Sequence, residues 1–342
     1  MKQRRCFLAS THAGWWITDD ESGSLGATLR GDIAQAELGE GAVTVDIHHS
    51  ALNYKDALAL TGSTGVVRTT PLIPGIDFAG QVVDSTEPAF APGDRVVLTG
   101  WGYGENRHGG LATRAKAEAK HLVHLPPSLS TLEAAALGTA GFTAALAVQA
   151  LEKSGVTPDS ASLPIAVTGA GGAVGSWAIV FLARRGYRVI AITGRAELEP
   201  YLRSLGAEGI MPRSEILSAT PRPLRSETVS GVIDQAGGAQ LASLLSMVAS
   251  DGVAVACGLA GGVELSTTVM PFILRGISLV GINSVMQPLA VRERVWGELA
   301  EVAPGFPFSE IASSIPLAQA LATAPSVLAG ETRGRIVVEV RP

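Results

Sequence analysis

The chain has 342 residues, 46% apolar and 17% charged, which is enough for about two domains with buried cores and excludes a disordered polymer. Its 26 Lys and Arg against 31 Asp and Glu leave a formal charge of −5, which disfavours a general nucleic-acid binder. Two cysteines, Cys6 and Cys257, exclude a disulfide framework and fit a reducing cytoplasm; the 40 glycines exceed the usual share of about 7% but follow no collagen period.

The N-terminus, MKQRRCFLAS, is basic but has no apolar run of signal-peptide length. Residues 1–60 read as irregular until Ala42–His48 (AVTVDIH) alternates apolar and polar residues like a half-buried strand. PLIPGIDFAGQVV (71–83) carries prolines and glycines and then a strand. Pro92-Gly93-Asp94 is a turn and Arg95–Leu98 the strand after it. Short strands with turns between them predict a compact, largely antiparallel β region.

The pattern changes near residue 130. Ser130-x-x-Glu133 is a capping box opening an Ala-rich helix, and a second helix is expected over Thr143–Lys153. Strand Ile165–Thr168, loop Gly169–Gly175, helix Ser176–Arg185 and strand Arg188–Ile192 follow. Later come Gly231–Asp234, Gly252–Ala256 and Ser278–Gly281, with helical segments between. Alternation of this kind means βαβ units and a parallel sheet. Gly334–Val340 is a closing strand that could return to the first domain. Two charge-free stretches, Ala134–Leu151 and Ser160–Ala183, read as buried elements rather than membrane spans, because one is mostly Ala, Gly and Thr and the other is broken by glycines.

TGAGGAVGS (168–176) is the strongest motif. Its spacing Gly169-x-x-Gly172-x-x-Gly175 follows a strand and opens a helix, as a dinucleotide fold requires for a tight turn, close pyrophosphate approach and helix–sheet packing. The free N–H groups of the helix start would face the phosphates. After the next strand an NAD enzyme places an acid for the ribose 2′-OH. Here Thr193-Gly194-Arg195 stands instead, and a guanidinium can grip a 2′-phosphate, so NADPH is expected over NADH.

Zinc dehydrogenases of this size carry G-H-E-x-x-G. This chain has Gly75-Ile76-Asp77-Phe78-Ala79-Gly80, and isoleucine cannot bind a metal. The six histidines (His12, His48, His49, His108, His121 and His124) show no ligand spacing and read as structural. Without a metal or nucleophile motif, hydride chemistry carried by a nicotinamide is the simplest expectation.

Several segments match a known family: ALNYKDALALTG (51–62), PGIDFAG (74–80), LTGWGYGEN (98–106), GTAGFTA (138–144), YLRSLGA (201–207), ACGLAGG (256–262) and TTVMPFILRGISLVGINSVM (267–286). Over nearly its whole length the chain resembles the zinc-free medium-chain dehydrogenase/reductase superfamily. Within it the chain resembles the YhdH/AcuI group of NADPH-dependent acrylyl-CoA reductases, often labelled quinone oxidoreductases. The resemblance implies an α/β architecture: a GroES-like β-rich catalytic domain over 1–137, completed by 275–342, and a Rossmann NADP-binding domain over 138–274. It further implies a homodimer and an acyl-CoA or quinone substrate, with neither nucleic acid nor membrane as partner.

Carried over position by position, the resemblance puts Tyr54 near the nicotinamide, where it is also the candidate catalytic group. It puts Gly171, Gly172, Ala173 and Val174 along the pyrophosphate, and Thr193, Gly194, Arg195 and Arg213 on the 2′-phosphate. Leu259, Ile273 and Ser284 would wall the nicotinamide, with Arg335 reaching the cofactor from the C-terminal segment. From pattern alone Leu259 and Ile273 read as core residues, and Lys55 and Asp56 as a local ion pair. The group usually reads GASGGVGS where this chain has GAGGAVGS, and DSVM where it has Asn283-Ser-Val-Met. Lys55, Arg68 and Arg333 are candidates for the phosphates of CoA.

Overall fold

The computed structural model describes residues 11–63, 65–217, 222–302 and 304–341. The N-terminal segment with Cys6 lies outside them. The chain divides into two compact units, residues 1–139 with 285–342, and residues 140–284.

Among the described residues the first unit holds nine strands, numbered in chain order through the molecule. β1 (Thr11–Asp19) and β2 (Leu25–Ala34) form an antiparallel pair, so the expectation that residues 1–60 begin irregularly is corrected. Half of β2 is exposed, and its alternation of Leu25, Ala27, Leu29 and Ile33 with Thr28, Arg30 and Asp32 is diluted by Gly26 and Gly31. The larger sheet is built from β3 (Val43–Ala51), β4 (Asp77–Ser85), β5 (Arg95–Thr99), β6 (Arg114–Ala117), β7 (Val123–His124), β14 (Ala312–Pro316) and β15 (Arg335–Glu339). Its order is β14-β15-β3-β4-β5-β7, with β6 also on β3. β15 lies antiparallel to β3, Val337 opposite Ala51, so the last strand does belong to the first unit. Val43, Val45 and Ile47 point into a core with Phe78, Val96, Leu98 and Val338.

The second unit is a six-stranded parallel sheet: β8 (Ile165–Val167), β9 (Val189–Thr193), β10 (Gly209–Pro212), β11 (Val229–Asp234), β12 (Val248–Ala256) and β13 (Ser278–Gly281). The order β10-β9-β8-β11-β12-β13 reverses direction between β8 and β11. In open α/β sheets that reversal leaves a crevice at the strand C-termini where ligands bind. β13 pairs with β12, so residues 275–284 belong to this unit and not, as expected, to the first.

Helix α1 covers Tyr54–Leu60, α2 covers Thr131–Lys153 and α3 covers Ala173–Arg184. The box at Ser130 forms: its N–H donates to Glu133 Oε2 at 2.7 Å and Glu133 N–H donates to its hydroxyl at 3.2 Å. The two helices expected here are one element with a break at Gly138, whose φ of 46° and ψ of −148° are not helical. A Cβ there would lie 2.1 Å from Nη2 of Arg335, so only glycine fits. α2 is also long and apolar enough to cross a membrane, but its apolar stretch is mostly buried within the protein. α3 is apolar nearly all round, with Trp177 and Phe181 buried and their rings stacked at 5.5 Å.

Candidate functional site

In the second unit the glycine loop leaves β8 at the reversal of strand order. Gly169 has a φ of +53°, in the left-handed region. Gly172 is the N-cap of α3 and supplies no side chain, so the first N–H groups of the helix, from Ala173 and Val174 onward, point outward as orphan donors. A Cβ on Gly175 would lie 2.4 Å from the carbonyl oxygen of Gly169, so the third glycine lets the helix close on the loop. Ser176, the next residue, is buried. It accepts from the hydroxyl of Tyr201 at 2.7 Å and donates to Ala170 O at 3.2 Å, which pins the loop from below. On the other side of the reversal, buried Asp234 accepts from Thr168 Oγ1 and from Gly237 N, each at 2.7 Å. Burial raises its pKa despite those donors.

Arg195 lies against this loop and Arg213 against the turn after β9. A Cβ on Gly171 would lie 2.9 Å from Nη2 of Arg195, and one on Gly194 would lie 2.8 Å from Nη2 of Arg213. Arg195 N–H donates to Thr193 Oγ1 at 3.0 Å, which shapes the turn after β9. Orphan helix N–H groups, bare glycine backbone and two guanidinium groups make a cradle for several phosphates. The residues therefore fit a dinucleotide with a third phosphate.

Elsewhere in this unit Leu259 is 61% and Ile273 71% exposed, so neither is the core residue that pattern alone predicted. Such exposure suits walls of a ligand site. Ser284 accepts a hydrogen bond from Thr143 Oγ1 at 2.9 Å, which fixes its hydroxyl. Cys257 is a free thiol whose Sγ donates to Asp234 O at 3.2 Å. The residue is only half-buried, but its sulfur is enclosed, and burial with the nearby Asp234 pushes the thiol up to about 12.

In the first unit Tyr54 opens α1 and is 43% exposed. The residues beside it form a buried polar network that sequence reading missed. Arg335 is 1% exposed; its Nη2 donates to Asp77 Oδ2 at 2.7 Å, its Nε donates to Ala135 O at 3.1 Å, and its Nη1 bonds Asn53 Oδ1. Asp77 also accepts from Thr139 N at 2.8 Å and from Asn53 Nδ2 at 3.2 Å. Asp56 accepts from Asn53 N and Nδ2, each at 2.8 Å, and from Ile76 N at 2.9 Å. Burial first, then the charge of Asp77, pushes Asp56 up to about 7 against these donors. The expected ion pair of Lys55 with Asp56 does not form, because that carboxylate is buried inside the network; Lys55 Nζ meets Glu105 Oε1 at 2.8 Å instead. The one sequence signal for the network is a charged residue, Asp77, in the apolar run PGIDFAG, where a buried acid must find a cation. Arg335 is thus seated as a partner of Asn53 and Asp77. Among the described residues no three His, Cys, Asp or Glu side chains gather as a metal site.

Residues 39–127 match the alcohol dehydrogenase GroES-like domain and residues 173–301 the zinc-binding dehydrogenase domain. The chain is 46% identical over 322 residues to the acrylyl-CoA reductase AcuI of Ruegeria pomeroyi, covering 94% of this chain and 97% of that one. The chain belongs to the YhdH/AcuI family of medium-chain dehydrogenases/reductases. Among solved structures of this family, the YhdH oxidoreductase of Salmonella enterica in complex with NADP superposes with a TM-score of 0.92 at 44% identity, covering 96% of this chain and all of that one. YhfP of Bacillus subtilis with NAD bound gives 0.91 at 38% identity, over 97% of this chain and all of that one. The α/β architecture expected from sequence, a GroES-like β-rich domain with a Rossmann domain, is the one this family has.

Proposed function

We propose that this chain is an NADPH-dependent reductase of the activated C=C bond of acrylyl-CoA, giving propanoyl-CoA without a metal ion. The observation that carries the reading is the near full-length identity to the Ruegeria pomeroyi acrylyl-CoA reductase. When bound, the nicotinamide supplies a hydride to the β-carbon of the substrate. The chain's own residues do the rest. Gly171, Gly172, Ala173 and Val174 hold the pyrophosphate with backbone N–H groups. Thr193, Gly194, Arg195 and Arg213 hold the 2′-phosphate, and Leu259, Ile273 and Ser284 wall and orient the nicotinamide. Arg335 acts as a positioning residue, holding Asn53, the N-cap of the helix that Tyr54 opens.

Reduction moves charge onto the thioester oxygen, and a preorganised donor there lowers the barrier. The exposed Tyr54 is that donor in our reading, and water delivers the proton to the α-carbon. Ile76 stands where zinc enzymes have a histidine, which supports metal-independence. Following NADPH oxidation with acryloyl-CoA, crotonyl-CoA and a benzoquinone tests the assignment; turnover of the quinone alone would make the protein a quinone reductase, and no turnover with NADPH bound a non-catalytic binder. Tyr54→Phe should lower turnover of acryloyl-CoA by about a hundredfold to a thousandfold, and an unchanged turnover number rejects the donor role.

A cytoplasmic homodimer completes the proposal. β13 ends its sheet, with Leu274 and Leu279 exposed on and beside it, and an apolar sheet edge invites a second copy. Sedimentation equilibrium at micromolar concentration should give twice the chain mass; a single-chain mass sinks this part.

A further inference from the structure

We propose that Tyr201 is a positioning residue for the dinucleotide: acting through Ser176, it fixes the Ala170–Gly171 peptide so that the Gly171 N–H is kept for a phosphate. The inference rests on reading the glycine loop as the pyrophosphate site. Tyr201 lies in the short helix Glu199–Ser204, within the motif YLRSLGA that the cofactor contacts leave unused. It is 8% exposed, and its hydroxyl donates to Ser176 Oγ at 2.7 Å. Ser176 in turn donates to Ala170 O at 3.2 Å. Ser176 and Ala170 are fully buried, so both bonds lie in a low-dielectric surround where they are stronger than in water.

The Ala170 carbonyl and the Gly171 N–H belong to one peptide plane. In a trans peptide the two groups point in opposite directions, so fastening the carbonyl fixes where the N–H points. Gly171 is buried, yet among the described residues no acceptor takes its N–H. A buried backbone donor left unspent in a native fold calls for a partner, and here the loop's ligand supplies one. Ser176 alone does not secure this arrangement. A serine in a helix can instead turn its hydroxyl to the carbonyl four residues back, here that of Gly172. The bond from Tyr201 holds Ser176 in the rotamer that reaches Ala170.

Calorimetric titration with NADPH, NADH and adenosine 2′-monophosphate tests this without any turnover, because only the two dinucleotides carry a pyrophosphate. Tyr201→Phe removes the hydroxyl and keeps the ring. It should weaken NADPH and NADH alike, by about threefold to tenfold, and leave adenosine 2′-monophosphate within about twofold. Ser176→Ala should cost at least as much, since it removes the donor to Ala170 outright, and it carries the test if the tyrosine variant folds poorly. Adding Tyr201→Phe to Ser176→Ala should cost nothing more, because the tyrosine acts through that serine. Additive losses, or unchanged affinity for both dinucleotides in Tyr201→Phe, overturn the role of Tyr201. So does an equal loss for adenosine 2′-monophosphate, which would mark a general loosening of the unit. The underlying reading fails separately: if the unaltered protein binds adenosine 2′-monophosphate as tightly as NADPH, the loop gains nothing from a pyrophosphate.

Discussion

Arg335→Met is expected to lower folding stability by about 3–5 kcal/mol, the cost of leaving a buried charge without its partner. Methionine keeps the apolar length of the side chain and removes the guanidinium. Asp77, 2% exposed, would then face only Thr139 N–H and the Asn53 amide. Asn53 Oδ1 and Ala135 O would lose their donor as well. Asp56 adds to the penalty, since its carboxyl lies close enough for the charge of Asp77 to raise its pKa, and no cation would remain between them. Equilibrium urea unfolding measures the effect. The pair Arg335→Met with Asp77→Asn should cost less than Arg335→Met alone, because it removes the orphaned charge. A loss below about 1 kcal/mol for the single variant would show that water or local rearrangement satisfies Asp77.

Gly175→Ala should weaken NADPH binding at least hundredfold while the first unit is left untouched. The added Cβ would lie 2.4 Å from Gly169 O and 2.7 Å from Ala170 Cα. Both are backbone atoms, so no rotamer relieves the clash, and α3 must back away from β8, spreading the loop that faces the phosphates. Overpacking of this kind costs about 1–3 kcal/mol in stability. Gly172→Ala is the internal comparison. Its Cβ would meet the same carbonyl at 3.3 Å, a contact a small shift absorbs. Fluorescence titration of NADPH separates the two; equal losses at both positions would mean that the loop tolerates no side chain anywhere and that the close approach of Gly175 is not special.

The second unit was legible because its signals are local. Strand Ile165–Thr168, the glycine loop and Ser278–Gly281 sit within a residue or so of their observed places, since each buried strand is a short apolar run bounded by glycine. Arg195 could be singled out for the same reason, as a charge at a fixed distance from the loop. The β1–β2 pair was legible in principle, since β2 alternates Leu25, Ala27, Leu29 and Ile33 with Thr28, Arg30 and Asp32, but Gly26 and Gly31 dilute the pattern in a half-exposed strand. The network of Asn53, Asp56, Asp77 and Arg335 escaped for a different reason: its members are up to 282 residues apart, and only tertiary structure brings them together. Leu259 and Ile273 were misjudged by pattern because an exposed apolar residue looks like core in a sequence.

The enclosed thiol of Cys257 takes on a meaning once the proposed substrate is considered. Acryloyl thioesters are soft electrophiles that alkylate thiolates by conjugate addition, so an enzyme that collects them concentrates a poison for its own cysteines. Burial and the nearby Asp234 push the Cys257 thiol up to about 12, so it carries far less thiolate at pH 7 than an ordinary cysteine. The same burial that raises its pKa lowers the reactivity of this sulfur toward such an electrophile.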